Sequence, residues 1–158
     1  MLKTPKWGTV AAFAVMALVS GAAGVIAQDK AQIIDQRRQA MKTLGASMGS
    51  VKGYLDGKND LAKAQEGANA IVATAPKIPD LFPQGTSMAD FSGKTGAKAE
   101  IWQQWDKFKQ AAMGLEAEGK KLADAVKAGD VGKVQAAFAE TGKNGCGTCH
   151  NTFREKLN

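Results

Sequence analysis

Apolar side chains recur at steps of three and four residues in four separate segments of this chain, which is the spacing of one face of a helix. No segment shows the strict alternation that marks a half-buried strand. The predicted helices cover residues 30–55, 59–75, 98–127 and 130–153. Four amphipathic helices without strands predict an all-α fold, a four-helix bundle.

Local signals mark the ends of these helices. Asn59 and Asp130 are predicted as N-caps, and Gly129 is predicted to end the third helix. The positions predicted to face the core are Ile34, Arg37, Met41, Leu44, Met48, Val51 and Leu55 in the first helix; Leu61, Ala64, Ala68, Ile71, Val72 and Ala75 in the second; Ile101, Trp105, Phe108, Ala112, Leu115, Leu122 and Val126 in the third; and Val131, Val134, Phe138, Gly142, Cys146, Cys149 and Phe153 in the fourth.

A Pro- and Gly-rich connection of some twenty residues, hereafter the crossover, joins the second and third predicted helices. Connections of this length usually have a function. Ile78, Leu81 and Phe82 are apolar enough to close one end of the core. The crossover is therefore predicted to pack against the bundle.

The N-terminal segment has the pattern of an export signal. Lys3 and Lys6 precede 21 uncharged residues, 7–27, which end in small side chains. This predicts a signal peptide over residues 1–27, cleaved after Ala27, and a single domain over residues 28–158. The same run is long enough to span a bilayer, so an uncleaved membrane anchor is the alternative. Both interpretations place the domain outside the cytoplasm, in the periplasm.

The charge of the chain is mildly positive. Loss of residues 1–27 removes two lysines and no acidic residue, so the formal charge falls from +6 to +4. This balance favours acidic partners only weakly. It lacks the density of Lys and Arg, interleaved with aromatic residues, that nucleic-acid binding requires, so no nucleic-acid partner is predicted.

Both cysteines and the only histidine lie in one pentapeptide, Cys146 to His150. Its Cys-x-x-Cys-His spacing is the attachment signature of haem c, in which two thiols join the porphyrin vinyl groups and the imidazole binds iron. A structural zinc site needs four ligands, and only three are present. A thioredoxin-like site needs an α/β setting, and a disulfide across this spacing would be strained and leaves His150 unexplained. One covalent haem c is predicted.

Four sequence motifs resemble those of the class II c-type cytochromes, the family of cytochrome c′ and cytochrome c-556. They are the late Cys-x-x-Cys-His-x-x-Phe-Arg at 146–154, Arg-x-x-x-Met at 37–41, Leu-Phe-Pro-x-Gly-Thr at 81–86, and Glu-Ile-Trp at 100–102. The resemblance covers essentially all of residues 28–158. It implies an antiparallel, up-down-up-down bundle with haem between the helices near one end, held by Cys146, Cys149 and His150.

The resemblance also assigns two arginines. Arg37 corresponds to an arginine near the haem propionates, and a guanidinium on an apolar stripe needs a buried anion. The alternative is that Arg37 extends to solvent at the bundle end. Arg154 corresponds to the arginine beside the proximal imidazole, although it would also favour the helix dipole as a C-terminal cation.

Met41 occupies the position from which low-spin members of the family present a thioether to iron. Met48 lies on the same face but about 10 Å along the helix, and is interpreted as core. Met88 lies in the crossover and Met113 is off the buried stripe, so neither is expected at the iron. With Met41 as ligand the protein is a one-electron carrier of the c-556 type. Without it, five-coordinate iron would bind NO or CO.

Further expectations concern surroundings and partners. Trp105, Phe108, Phe138 and Phe153 are expected to exclude water from the haem. No enzymatic activity is predicted, because the only histidine is used on iron. The expected partners are redox proteins of the periplasm or membrane surface. The resemblance also allows a homodimer packed through the first two helices.

Overall fold

The computed structural model describes residues 21–157, and every regular element of this part is helical apart from one isolated bridge. The helices are α1 (Gly21–Leu55), α2 (Leu61–Thr74), α3 (Glu100–Gln103), α4 (Trp105–Ala128), α5 (Val131–Glu140) and α6 (Gly147–Phe153). A π-helical turn, Thr141–Cys146, joins α5 to α6, and two short 3₁₀ turns, Ala75–Lys77 and Pro79–Leu81, follow α2.

The predicted four-helix bundle is confirmed. Helix α1 packs against α2, α2 against α4, and α4 against α5 and the π-helical turn. The three elements follow one another without a gap, and the residues at both junctions have right-handed helical dihedral angles, so α5, the turn and α6 form one continuous fourth helix. The bundle is antiparallel and runs up, down, up, down.

Two of the three residues predicted to mark helix ends are confirmed. Asp130 caps α5 by accepting a hydrogen bond from the Lys133 backbone N–H at 3.1 Å, and Gly129 ends α4 in the left-handed conformation. The cap predicted at Asn59 is wrong, because Asp60 accepts from the Lys63 N–H at 2.8 Å instead. The Asn59 amide donates to the Ser50 carbonyl and ties the end of α1 to the turn.

The predicted stripes form the core, with a few exceptions. Its innermost side chains come from all four helices of the bundle and include Val51, Ile71, Ile101, Leu122, Val126 and Val134. Val131 is wrongly predicted as buried: it is 52% exposed, and Leu61 is 39% exposed. Each is the first residue of its helix, and no neighbouring helix covers it there.

The crossover packs against the bundle as predicted. Ile78 and Phe82 are buried and Leu81 is half-buried. The third helix differs from its prediction, since it is interrupted at Gln104 and so divides into α3 and α4. On α3, the indole N–H of Trp102 donates to the Phe82 carbonyl at 2.9 Å, which holds this short helix against the crossover.

Helix α1 is already helical at Gly21, the first described residue, rather than from Lys30, so its backbone is helical across the predicted cleavage point after Ala27. The rest of the predicted signal segment, residues 1–20, lies outside the described residues. In the part of the chain that the structure covers, no helix combines the length and hydropathy needed to cross a bilayer.

Candidate haem-attachment site

A cavity of about 510 Å³ opens near one end of the bundle, between α1, the crossover, α4 and the C-terminal helix. Its volume lies within the usual range for cofactor pockets. All six predicted site residues line it: Arg37, Met41, Cys146, Cys149, His150 and Arg154. Its apolar lining includes Leu44, Ile78, Phe82, Ile101, Phe108, Leu115 and Phe153. The fold therefore brings the predicted site residues of α1 and those of the C-terminal segment together around one apolar chamber.

The two thiols are free and half-buried on the C-terminal helix. A spacing of three residues places them on one side of a helix, less than a turn apart. Burial raises the pKa of Cys146, and burial together with the neighbouring Cys146 raises the pKa of Cys149 to about 11. Both thiols are therefore protonated at neutral pH.

The π-helical turn ends at Cys146, the first residue of the attachment motif, and such turns often occur at functional sites. Thr141, which is fully buried, donates to the Ala137 carbonyl at 2.8 Å and lies 3.3 Å from the Glu118 carbonyl on α4. A Cβ on Gly145 would lie 2.9 Å from Leu115 Cδ1. A side chain at Gly145 would displace the end of the Leu115 side chain, so glycine favours this close approach to α4.

His150 lies at the cavity edge and also borders a second, smaller hollow with Arg154, Glu155 and Lys156. Arg154 Nη1 is 3.5 Å from His150 Nδ1. Partial burial, and next the positive charge of Arg154, lower the pKa of His150. Both effects favour the neutral imidazole, which is the form that binds metals.

Arg37 is 5% exposed, so the alternative of extension to solvent is wrong. Its Nε donates to the Leu81 carbonyl at 2.9 Å, Nη2 to Thr86 Oγ1 at 2.7 Å, and Nη1 to the Thr86 carbonyl at 3.2 Å and Thr95 Oγ1 at 3.3 Å. The guanidinium also lies 3.9 Å above the Phe82 ring. Burial lowers the pKa of Arg37 to about 10, so it remains a cation at neutral pH. Among residues 21–157 its hydrogen-bond partners are all neutral.

The four methionines of the described part fall into two groups. Met41 and Met48 are half-buried and line the cavity, whereas Met88 and Met113 are 44% and 66% exposed and do not. The Met48 terminal methyl lies 4.0 Å from where a Cβ on Gly142 would be, so this side chain packs towards the fourth helix of the bundle.

Of the four expected aromatic side chains, only Phe108 and Phe153 line the cavity, and their rings meet edge to face at 5.5 Å. Trp105 stacks on Phe108 from behind, and Phe138 is half-buried elsewhere in the core. Phe82 of the crossover, which was expected only to close the core, also lines the cavity and meets Phe108 at 4.7 Å.

Sequence reasoning missed a contact between the crossover and the C-terminal segment, here called the clasp. The Lys98 N–H donates to the Phe153 carbonyl at 3.1 Å, and the Glu155 N–H donates to the Gly96 carbonyl at 2.8 Å. A Cβ on Gly96 would lie 2.3 Å from the Glu155 carbonyl oxygen, so glycine is required there. The cluster of glycines in the crossover was a signal for close backbone approach, but it could not name the partner.

The residues present fit a covalently bound haem. Two free thiols and a neutral imidazole border an apolar chamber, and five cations, Arg37, Arg38, Lys42, Lys94 and Arg154, against one carboxylate, Glu155, provide counter-charge for an anionic cofactor. Within the described residues, no three His, Cys, Asp or Glu side chains cluster to hold a metal ion unaided. When bound, haem supplies a one-electron redox centre or an iron that binds diatomic gases.

Comparison with known proteins identifies the family. The family model described as Cytochrome C′ matches residues 32–154. The chain is 37% identical to cytochrome c′ of Pararhodospirillum photometricum, over 77% of this chain and 95% of that protein, and 33% identical to cytochrome c-556 of Agrobacterium tumefaciens (strain II Chrys), over 78% and 97%. A solved nitric oxide complex of a cytochrome c′ variant from Alcaligenes xylosoxidans superimposes with a TM-score of 0.68 at 25% identity, covering 80% of this chain and 97% of that one. The chain therefore belongs to the cytochrome c′ family of class II c-type cytochromes and has its attachment site for one haem c.

Proposed function

We propose that this protein is a one-electron carrier in which His150 and Met41 are the two axial ligands of the haem iron. The observation that supports this proposal most directly is that Met41 lines the same cavity as Cys146, Cys149 and His150. A thioether and an imidazole are both strong-field ligands that keep the same coordination in the two oxidation states. Electron exchange then requires little rearrangement of the protein.

The choice of Met41 rather than Met48 rests on packing. Met48 packs towards Gly142 on the fourth helix of the bundle, where its side chain fills the core. Met41 lies two turns earlier on α1, one turn after Arg37, and is flanked at the cavity by the cations Arg38 and Lys42.

Arg37 and Arg154 are proposed to have two different electrostatic roles at the haem site. All the hydrogen bonds of Arg37 go to uncharged oxygens, so its positive charge is not neutralised by a described carboxylate and remains available to a propionate. Arg154, beside the imidazole of His150, is proposed to keep that ring neutral. A buried or neighbouring cation also raises the reduction potential, because it disfavours added positive charge on the iron.

The second candidate is a five-coordinate cytochrome c′ that binds NO or CO, with Met41 as a non-ligating wall residue. It is supported by the name of the 37% identical relative and by the nitric oxide complex of the Alcaligenes protein. The only histidine is assigned to the iron and the two cysteines to the haem, so we propose no catalytic activity for either candidate.

Absorption spectra of the holoprotein with and without CO separate these two candidates. A Met41-ligated protein has a sharp low-spin reduced α-band that does not respond to CO, and Met41→Ala converts it to a broad, CO-responsive spectrum. Met48→Ala, the matched control on the same helix, leaves the spectrum low-spin. A broad CO-responsive spectrum in the unmodified protein would instead select gas binding.

The remaining assignments concern processing and assembly. We propose export to the periplasm with cleavage after Ala27, which leaves a domain over residues 28–158 and its redox partners in the same compartment. A homodimer through α1 and α2 is compatible with the small side chains of α2. Intact mass of the periplasmic protein tests cleavage and haem attachment together, and sedimentation tests the dimer.

A further inference from the structure

The surface around the cavity mouth carries a group of exposed cations. We propose that this cationic rim, Arg38, Lys42, Lys94, Arg154 and Lys156, is the docking face for an acidic redox protein. The inference rests on the proposed electron-carrier function, since it names the class of partner with which that function is performed.

The rim encircles the route to the cofactor. Arg38 and Lys42 lie on α1, Lys94 lies in the crossover, and Arg154 and Lys156 follow the attachment helix, so three separate parts of the chain contribute. Each of these five residues is exposed and lines the cavity or the adjoining hollow at His150. The two lining sets include one carboxylate, Glu155.

Away from the rim, eight described lysines pair with a carboxylate. The described lysines there that make no ion pair are spread over α1, the first 3₁₀ turn, α4 and the π-helical turn: Lys30, Lys77, Lys107, Lys127 and Lys143. On α2, α4 and α5, Lys63, Lys109, Lys120, Lys121 and Lys133 each pair with a carboxylate three or four residues away. At the rim, cations without an ion pair are clustered around one opening. Arg38 pairs with the exposed Asp35 at 3.2 Å, whereas Lys42, Lys94, Arg154 and Lys156 make no ion pair with any residue of the described part.

Clustered cations without partners repel one another and oppose folding. The two propionates of one haem could neutralise no more than two of the cations that line the cavity and the adjoining hollow, so the cluster exceeds what the cofactor needs. A concave, low-dielectric surface of one sign focuses its field outward and accelerates the encounter with a partner of the opposite sign. The partner is thus a protein with carboxylates around its own redox centre.

An anionic membrane would meet the same charges, but the shape of the rim favours a protein. Membrane-surface binding needs apolar side chains that insert beside the cations. At the rim, Leu157 is the exposed large apolar residue, at 52%, and it lies within the cavity wall. A small, polar and charge-complementary contact is typical of transient electron-transfer complexes.

Charge reversal with small redox probes tests the rim on the intact holoprotein. The reduced protein gives one electron to hexacyanoferrate(III), an anion, or to tris(phenanthroline)cobalt(III), a cation, and no bond or proton is exchanged in either reaction. Lys42→Glu and Lys94→Glu are compared with Lys127→Glu, which changes net charge equally but lies exposed in the last turn of α4, remote from the cavity.

At low ionic strength each rim variant is expected to react with the anionic oxidant roughly threefold more slowly, or slower still, and with the cationic oxidant faster than the unmodified protein. The rates of the rim variants should also lose most of their dependence on salt concentration. Lys127→Glu should stay near the unmodified rates. Equal effects at Lys42 and Lys127 would overturn the proposal. Binding is measured separately, by the amide NMR shifts that octaglutamate causes in the rim residues of the holoprotein. Shifts away from the rim would also overturn it.

Vesicles of phosphatidylglycerol test the alternative that the rim binds an anionic membrane. Tight vesicle binding that Lys42→Glu and Lys94→Glu abolish, without shifts from octaglutamate, would assign the rim to a membrane and overturn the protein partner. The docking proposal and the proposal of Met41 ligation can be refuted independently of each other. A five-coordinate spectrum would refute Met41 ligation, but the electron-transfer rates of the rim variants could still be measured and would still test the docking face.

Discussion

Replacement of Thr86 by valine tests whether the buried Arg37 is held by the crossover. Thr86 is fully buried, and its hydroxyl accepts from Arg37 Nη2 at 2.7 Å and donates to the Pro83 carbonyl at 2.7 Å. Valine keeps the shape but has no hydroxyl, so a buried cationic N–H and a carbonyl both lose their partner.

The magnitude follows from these two bonds. A hydrogen bond to a charged group contributes about 1.5–3 kcal/mol and a neutral one about 0.5–1.5 kcal/mol, so Thr86→Val is expected to lower the free energy of unfolding by about 2–4 kcal/mol. Thr86→Ser keeps the hydroxyl and loses one methyl group, at a cost of about 1 kcal/mol. For a domain of this size 1 kcal/mol corresponds to about 3–5 °C in Tm.

The assay is chemical and thermal unfolding of the holoproteins, with Arg37→Met and the double variant completing a mutant cycle. The coupling between Arg37 and Thr86 is expected to be about 1.5–3 kcal/mol. Equal losses in the valine and serine variants, or a coupling below about 0.5 kcal/mol, would refute the view that the hydroxyl of Thr86 holds the guanidinium.

Two other predictions concern the clasp and a helix cap. Gly96→Ala places a methyl group against the Glu155 backbone and is expected to cost about 1–3 kcal/mol and to speed amide exchange at Glu155. Gly114→Ala, at an open position inside α4, should instead stabilise the protein by about 0.5–1 kcal/mol, and equal effects of the two would contradict the clasp geometry. The backbone hydrogen bond from Lys133 lowers the pKa of Asp130 below 3.8, so its stabilising effect is present above that pH and is lost as pH falls through the lower folded value. Asp130→Asn, which still caps α5, should remove this pH dependence in acid unfolding curves, and an unchanged acid profile would count against it.

Much of the fold could be predicted from local sequence. The three- and four-residue spacing identified the helices, and Asp130 and Gly129 marked their junction, because amphipathic periodicity and caps depend on few neighbours. The error at Asn59 came from the same source. Two adjacent residues both suit an N-cap, and the choice of Asp60 depends on the bond that Asn59 makes with Ser50.

The interruptions of the helices could not be predicted locally. The break at Gln104 has no proline or glycine beside it, and it depends on the bond from Trp102 to the crossover. The π-helical turn likewise depends on the packing of Thr141 and Gly145 against α4. In the site, the attachment motif could be read directly, whereas the partners of Arg37 could not, because Thr86 and Thr95 lie about fifty residues away in an irregular segment.

For protein design, the clasp means that the haem chamber is not a product of the four helices alone. Its end wall is an irregular segment hydrogen-bonded to residues that follow the last helix, through the Gly96–Glu155 and Lys98–Phe153 backbone contacts. A minimal synthetic bundle that replaced the crossover by a short loop, or that stopped at Phe153, would keep the attachment motif and lose one side of the enclosure. An affinity tag for purification is therefore better placed on the exposed turn between α1 and α2 than at the C-terminus.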